Sequence, residues 1–176
     1  MPRTITPPRS DEYAEFHKGY IAAVADEPDG ITVLERQQPS IAALAVLSPQ
    51  QASHRYAEGK WSVKEVVGHL ADAERVVSYR LMRIARGDKT PLPGFDEAAI
   101  AAASNADRRE LADLVDELSA VRKSTIALVR SLEDGALEQR GTVNNWSLTA
   151  RGIVFIIAGH FAHHVNVLRE RYSINV

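Results

Sequence analysis

Three histidines carry the pattern most able to do chemistry: His69 in WSVKEVVGHLADAE, and His160 and His164 in IIAGHFAHHVNVLRERY. The latter two are four residues apart in a segment that reads as a long helix. At about 100° per residue their side chains lie about 40° apart on one face, one turn above the other. Two imidazoles stacked in this way can converge on one metal ion. A third histidine from another helix would complete a three-histidine centre with open positions for water or substrate.

On a helical wheel, Ile153, Ile157, His160, His164 and Val167 share one stripe, so both histidines should face the core. A buried imidazole without a partner costs a few kcal/mol. Two readings stand: a shared metal, or two core histidines bonded to carboxylates or carbonyls. His163 sits on the shoulder of the stripe and could replace His164, although an exposed or outer position suits it better. His69 lies about 90° from the middle of its helix's apolar face, so it either reaches toward a neighbour or sits at the boundary. His17 and His54 read as surface residues, and Asp72 as solvated. Glu74 falls on an apolar face, where a carboxylate requires a partner. An arginine pair is the structural reading for Glu74; orienting a metal ligand or acting as a base is the functional one. Lys89, Asp96 and Glu97 could line a pocket mouth.

The elements that must position these groups are helical. After an extended segment over 1–10, Ser10-Asp11 offers a cap for a short helix through about residue 24. A first long helix is expected over about 30–47, kinked or broken just before Pro39. The second starts most clearly: Ser62 and Glu65 form a capping box, and Trp61 with Val66 a hydrophobic staple. Gly87 should end it. Residues 88–105, with DKTPLPGFDE, form a long connection with a small Ala-rich turn. A third helix is expected over about 107–132 and a fourth from near 147 to 172. No stretch alternates like a strand over a useful length. The expected fold is all-α, a four-helix bundle with an extra short N-terminal helix.

The connection between helices 2 and 3, nearly 20 residues, is longer than an antiparallel hairpin needs. A crossover of that length lets helices 2 and 3 run parallel and makes helices 2 and 4 antiparallel. His69 lies about 10 Å into helix 2, and His160 and His164 about 12–18 Å from the end of helix 4. Antiparallel packing therefore brings all three to similar heights.

At 176 residues the expectation is one domain spanning 1–176. A net charge of −2 gives no electrostatic reason to expect nucleic acid or an anionic membrane as partner. No Gly-rich phosphate loop, serine-nucleophile motif or nucleic-acid motif is present. The chain has no cysteine, so thiol chemistry would need an outside thiol. With neither a signal-like apolar run nor an 18-residue apolar span, a cytoplasmic protein is expected. Dimerisation through a bundle face is compatible with the pattern.

GKWSVKEVVGHLADAER, YRLMRIARGDKTPLPGFDE and IIAGHFAHHVNVLRERY, in that order, carry a resemblance to the DinB/YfiT-like superfamily of bacterial metal-binding four-helix bundles. It extends from about Tyr13 to Tyr172. The resemblance implies metal ligands at His69, His160 and His164, selecting His164 over His163, and the bundle topology with a long second connection. It also implies a divalent metal, zinc or nickel suiting the imidazoles, in thiol-dependent detoxification or stress chemistry on a small molecule. Such reactions include transfer of a low-molecular-weight thiol such as bacillithiol to an electrophile, and mycothiol-dependent isomerisation. A metal-dependent hydrolase with activated water is the alternative, and a non-enzymatic stress-associated bundle is a third.

Overall fold

The computed structural model describes residues 4–176; residues 1–3 of the expected extended segment lie outside the described residues. Residues 4–9 carry no regular element, yet Ile5 is fully buried. Its N–H donates to Asp29 Oδ1 at 2.7 Å, and its carbonyl accepts from Gly30 N at 2.8 Å. The helix expected from Ser10 is corrected: residues 10–13 form a turn and bend, then a 3-10 turn, Glu15–His17, leads into α1, Lys18–Ala22. Tertiary bonds at Glu12 explain this. Its buried carboxylate accepts from Arg9 N at 2.7 Å and Arg151 at 2.8 Å, and its carbonyl accepts from Thr149 N at 3.1 Å.

The first long helix is interrupted as its proline demands. α2, Gly30–Arg36, is capped by the Asp29 carboxylate, and α3, Gln38–Ala43, resumes after a break at Gln37. Pro39 has no N–H for the Glu35 carbonyl; Gln38 Nε2 approaches that oxygen instead at 3.5 Å. Freed from the helix repeat, Gln37 points its amide inward, donating to the Ala158 carbonyl at 2.8 Å. A 3-10 turn, Leu44–Val46, precedes α4, Pro49–Ser53.

α5, Val63–Ala85, starts at the expected capping box: Ser62 Oγ accepts from Glu65 N at 3.1 Å, and Glu65 Oε2 from Ser62 N at 2.8 Å. It ends just before Gly87, whose φ of +84° suits a residue without Cβ. The Ala-rich turn of the long connection is a helix, α6, Glu97–Ala103, capped by Asp96. α7, Leu111–Ser131, begins later than expected. Asp107 lies instead in a 3-10 turn, Ala106–Arg108, where its carboxylate binds Ser62 Oγ and Arg55.

After α8, Asp134–Leu137, the chain forms a hairpin that sequence periodicity missed. Strands β1, Arg140–Val143, and β2, Trp146–Thr149, join at Asn144 and Asn145, both with positive φ as a two-residue primed turn requires. Four residues per strand are too few to alternate visibly. The hairpin clamps the long connection, with Leu92 N donating to Thr142 O and Asn144 N to Leu92 O, each at 2.9 Å. α9, Ala150–Tyr172, therefore starts at Ala150, with Thr149 Oγ1 accepting from Gly152 N, rather than near Ser147.

The α2–α3 pair, α5, α7 and α9 form the bundle. Lys64 bonds the Arg109 carbonyl early in α5, and Glu74 pairs with Arg122 further along, so α5 and α7 run parallel. Tyr172, at the end of α9, donates to the Trp61 carbonyl at the start of α5 at 2.7 Å. Gly141, just ahead of α9, packs against Ile84 near the end of α5. Those two helices are antiparallel, as the heights of the histidines required. No helix among the described residues is long and apolar enough to cross a membrane.

Candidate metal centre

α5 and α9 bring His69, His160 and His164 together. One ligand-type atom from each lies within 4.8 Å of the others. His69 Nε2 and His160 Nε2 are 3.1 Å apart, and the ring centroids are separated by 4.6–5.0 Å. Two nitrogens bound at about 2.0–2.1 Å to one ion stand about 2.9 Å apart at a right angle and about 3.4 Å at the tetrahedral angle. The observed His69–His160 separation falls between these, so that pair is spaced to share one first-row divalent ion, with His164 within 4.8 Å to complete the set. A second observation supports the fit: His164 Nδ1 is buried with no hydrogen-bond partner among the described residues.

The chemical state of the rings also suits a metal. Burial pushes the pKa of His69 down to about 4. Burial, followed by repulsion from His69, His163 and Arg122, pushes His160 down to about 3. Burial and the two neighbouring cluster rings push His164 down to about 2. All three are neutral near pH 7, the form that donates a lone pair to a metal.

These shifts give the metal-free protein a predictable acid response. The unfolded chain protonates its histidines near their ordinary 6.5, whereas the folded rings resist protonation to about 4 or below. Their contribution is fully present above the unfolded pKa and is lost as pH falls toward the folded values. The urea midpoint of metal-free protein should fall steadily from about pH 7 to about pH 4.5. A midpoint flat across that interval would contradict neutral burial of the cluster.

The sequence placed several other groups correctly. His163 is exposed and outside the cluster, although its ring lies 5.1 Å from that of His164. His54 is exposed, and Asp72 pairs with Arg75 at the surface. Glu74 is buried against Arg122, which is 0% exposed. Both carboxylate oxygens accept from that guanidinium at 2.8–3.1 Å, while its third nitrogen reaches Gln37 Oε1 at 2.7 Å and the Leu34 carbonyl at 3.2 Å. The arginine-pair reading of Glu74 is the one observed. With both oxygens engaged, the geometry offers no free base there. Of the three loop residues, Glu97 lines a cavity, Asp96 caps α6, and Lys89 binds Gln139 and the Arg140 carbonyl.

His17 is a correction. Instead of lying on the surface it is buried, with Nδ1 unpartnered among the described residues and burial pushing its pKa to about 4. α1 lies so close to α9 that a Cβ on Gly159 would stand 2.0 Å from the Tyr20 carbonyl. Glycine directly before His160 permits this contact, and it is the signal that could have placed the N-terminal segment at the site. Tyr20 then packs edge-on against His160, with ring centroids 5.4 Å apart.

Two cavities reach the cluster. One, of about 340 Å³, is lined by His160, His17, Tyr20, Glu74 and Arg80. The other, of about 360 Å³, is lined by His164, His163, Trp61, Tyr56 and Tyr172. Trp61 also stacks 4.8 Å from His69, closing that side with an aromatic wall.

Comparison with known proteins follows this geometry. In structure the chain is similar to YfiT of Bacillus subtilis, described as "a probable metal-dependent hydrolase with an unusual four-helix bundle topology". The TM-score is 0.68 at 21% identity, over 94% of this chain and 93% of that one. A Geobacillus thermodenitrificans protein, provisionally named a metal-dependent hydrolase, is 35% identical over 98 residues, or 56% of this chain and 49% of the relative. The chain thus aligns with about half the length of that relative. A similarly named Oceanobacillus iheyensis protein is 24% identical over 131 residues, covering 73% of this chain and 75% of the relative. The family model of the DinB superfamily matches residues 34–168, a span that takes in all three clustered histidines. On that match, and with the bundle topology described above, the chain belongs to the DinB superfamily.

Proposed function

We propose that the protein is a metal-dependent enzyme in which His69, His160 and His164 hold a divalent ion, and that it transfers a low-molecular-weight thiol to an electrophilic small molecule. The observation supporting a two-substrate reaction is the pair of cavities, one meeting the cluster at His160 and the other at His164. Each could seat one reactant beside the same centre. A divalent ion held there lowers the pKa of a thiol or water at its open positions. The chain has no cysteine, so the thiol comes from a separate molecule such as bacillithiol or mycothiol, as the resemblance implies. The three rings stay neutral and ready to donate, with Trp61 packed against His69 and Tyr20 against His160. Zinc or nickel suits an all-imidazole donor set.

Hydrolysis is the second reading, favoured by the names given to the relatives, and it uses the same three histidines with water as nucleophile. Calorimetric titration of metal-loaded protein with bacillithiol, mycothiol, glutathione and coenzyme A separates the two. Saturable binding of one thiol, absent from metal-stripped protein, is expected. No thiol binding together with metal-dependent cleavage of an ester or amide panel would replace transfer by hydrolysis.

A further inference from the structure

The cavity at His160 holds two opposite charges that do not pair with each other. Arg80 and Glu97 both line it, yet no ion pair within 4 Å joins them. Arg55, Arg75, Arg83, Arg122 and Arg151 each meet a carboxylate, whereas Arg86, Arg108, Arg169 and Arg171, which like Arg80 make no ion pair among the described residues, are exposed. Arg80 instead donates to the Pro93 carbonyl at 2.6 Å and lies 5.2 Å over the Phe95 ring. These contacts fix the guanidinium and leave other N–H groups of its fork without a partner among the described residues. Desolvation at the cavity wall lowers the pKa of Arg80 and raises that of the otherwise exposed Glu97, and attraction between the two charges partly offsets both shifts.

A separate feature of this cavity also lacks a partner. His17, 9% exposed and part of the lining, keeps Nδ1 buried and unbonded. Leaving a buried polar atom unsatisfied costs about 1–3 kcal/mol. Much of the remaining wall is apolar, with the aromatic Phe16, Tyr20 and Phe95 beside Val77, Ile156 and Ile157. A small molecule with an apolar body and two charged groups of opposite sign matches this lining.

We infer that the His160 cavity selects a zwitterionic small molecule, with its carboxylate on Arg80, its ammonium on Glu97 and its apolar portion against the aromatic wall. This rests on reading the cavity as the substrate pocket of the proposed enzyme. Arg80 and Glu97 are then specificity-determining residues, positioned by the long connection and its hairpin clamp. A ligand carrying only one charge satisfies one residue and leaves the other uncompensated.

Three probes sharing a phenyl group test the assignment: L-phenylalanine, 3-phenylpropionate and phenethylamine. Each is titrated by NMR into metal-loaded and metal-free protein, following the Arg80 Hε resonance and the amide spectrum. Phenylalanine should bind at least about tenfold more tightly than either singly charged probe, a difference of about 1.4 kcal/mol. Arg80→Gln should weaken phenylalanine and phenylpropionate about tenfold and spare phenethylamine; Glu97→Gln should weaken phenylalanine and phenethylamine and spare phenylpropionate. Arg80→Lys, which keeps the charge but loses the fork, should fall between wild type and Arg80→Gln. Native-like amide dispersion verifies folding in each variant. Absence of binding by all three probes, equal affinities, or indifference to either glutamine variant would overturn the inference. The metal-free arm separates the two claims: the same charge selectivity without metal supports the pocket even if the metal reading fails.

Discussion

Replacing His160 with alanine is expected to weaken divalent-metal binding by at least about 100-fold, beyond the 10–100-fold typical of losing an outer partner. The reason is geometric. His160 supplies the nitrogen 3.1 Å from that of His69, and its removal leaves two donors from different helices with no third to complete the set. Alanine at His69 or His164 should have the same effect. Alanine at His163 or His54, both exposed and outside the cluster, should leave metal stoichiometry unchanged. Metal analysis after dialysis, with affinities from chelator competition, measures this. Equal stoichiometry in His160→Ala and His163→Ala would show the centre to be misassigned.

The largest effect on stability should come from Arg122→Met. Arg122 is fully buried and binds both Glu74 oxygens, the Gln37 amide oxygen and the Leu34 carbonyl. It therefore ties α5 and α7 to the broken first helix beneath the histidine cluster. Removing it strands a buried carboxylate, and breaking a buried pair in this way costs about 3–5 kcal/mol. Apolar replacement of both partners removes that uncompensated charge, so Glu74→Leu/Arg122→Met should recover much of the loss. Urea denaturation of the metal-free single and double variants tests both claims. A loss below about 1 kcal/mol in Arg122→Met would contradict a central role for this network.

What the sequence revealed, and what it hid, follows from the range of the forces involved. The Ser62–Glu65 box, the break before Pro39 and the stop at Gly87 are local, set by groups a few residues apart. They were legible for that reason. The His160–His164 pair was legible too, because helix geometry alone places one above the other. His69 needed tertiary information: its wheel position was marginal, and only the antiparallel crossing of α5 and α9 buries it to 4% exposure. The late start of α7 depends on Asp107 meeting Ser62 and Arg55 from distant parts of the chain. The burial of His17 is hidden in the sequence because it comes from contact between α1 and α9, marked there only by Gly159. The hairpin's Asn144-Asn145 turn was present in the sequence, but its strands were too short to announce themselves.

These outcomes bear on the site unequally. The ligands are held by the crossing of two long bundle helices, α5 and α9, whereas the cavity at His160 depends on the N-terminal segment and long connection folding back over the bundle. Changes in those coverings should alter substrate choice more than metal affinity.

X-ray absorption at the metal edge of the zinc- or nickel-loaded protein, before and after adding a thiol identified by titration, tests the central claim most directly. Three imidazole nitrogens with exchangeable light-atom ligands are expected at first. Added thiol should introduce one sulfur scatterer, at about 2.3 Å for zinc. A first shell with fewer than three imidazoles, or one closed by a protein carboxylate and unchanged by thiol, would contradict the account.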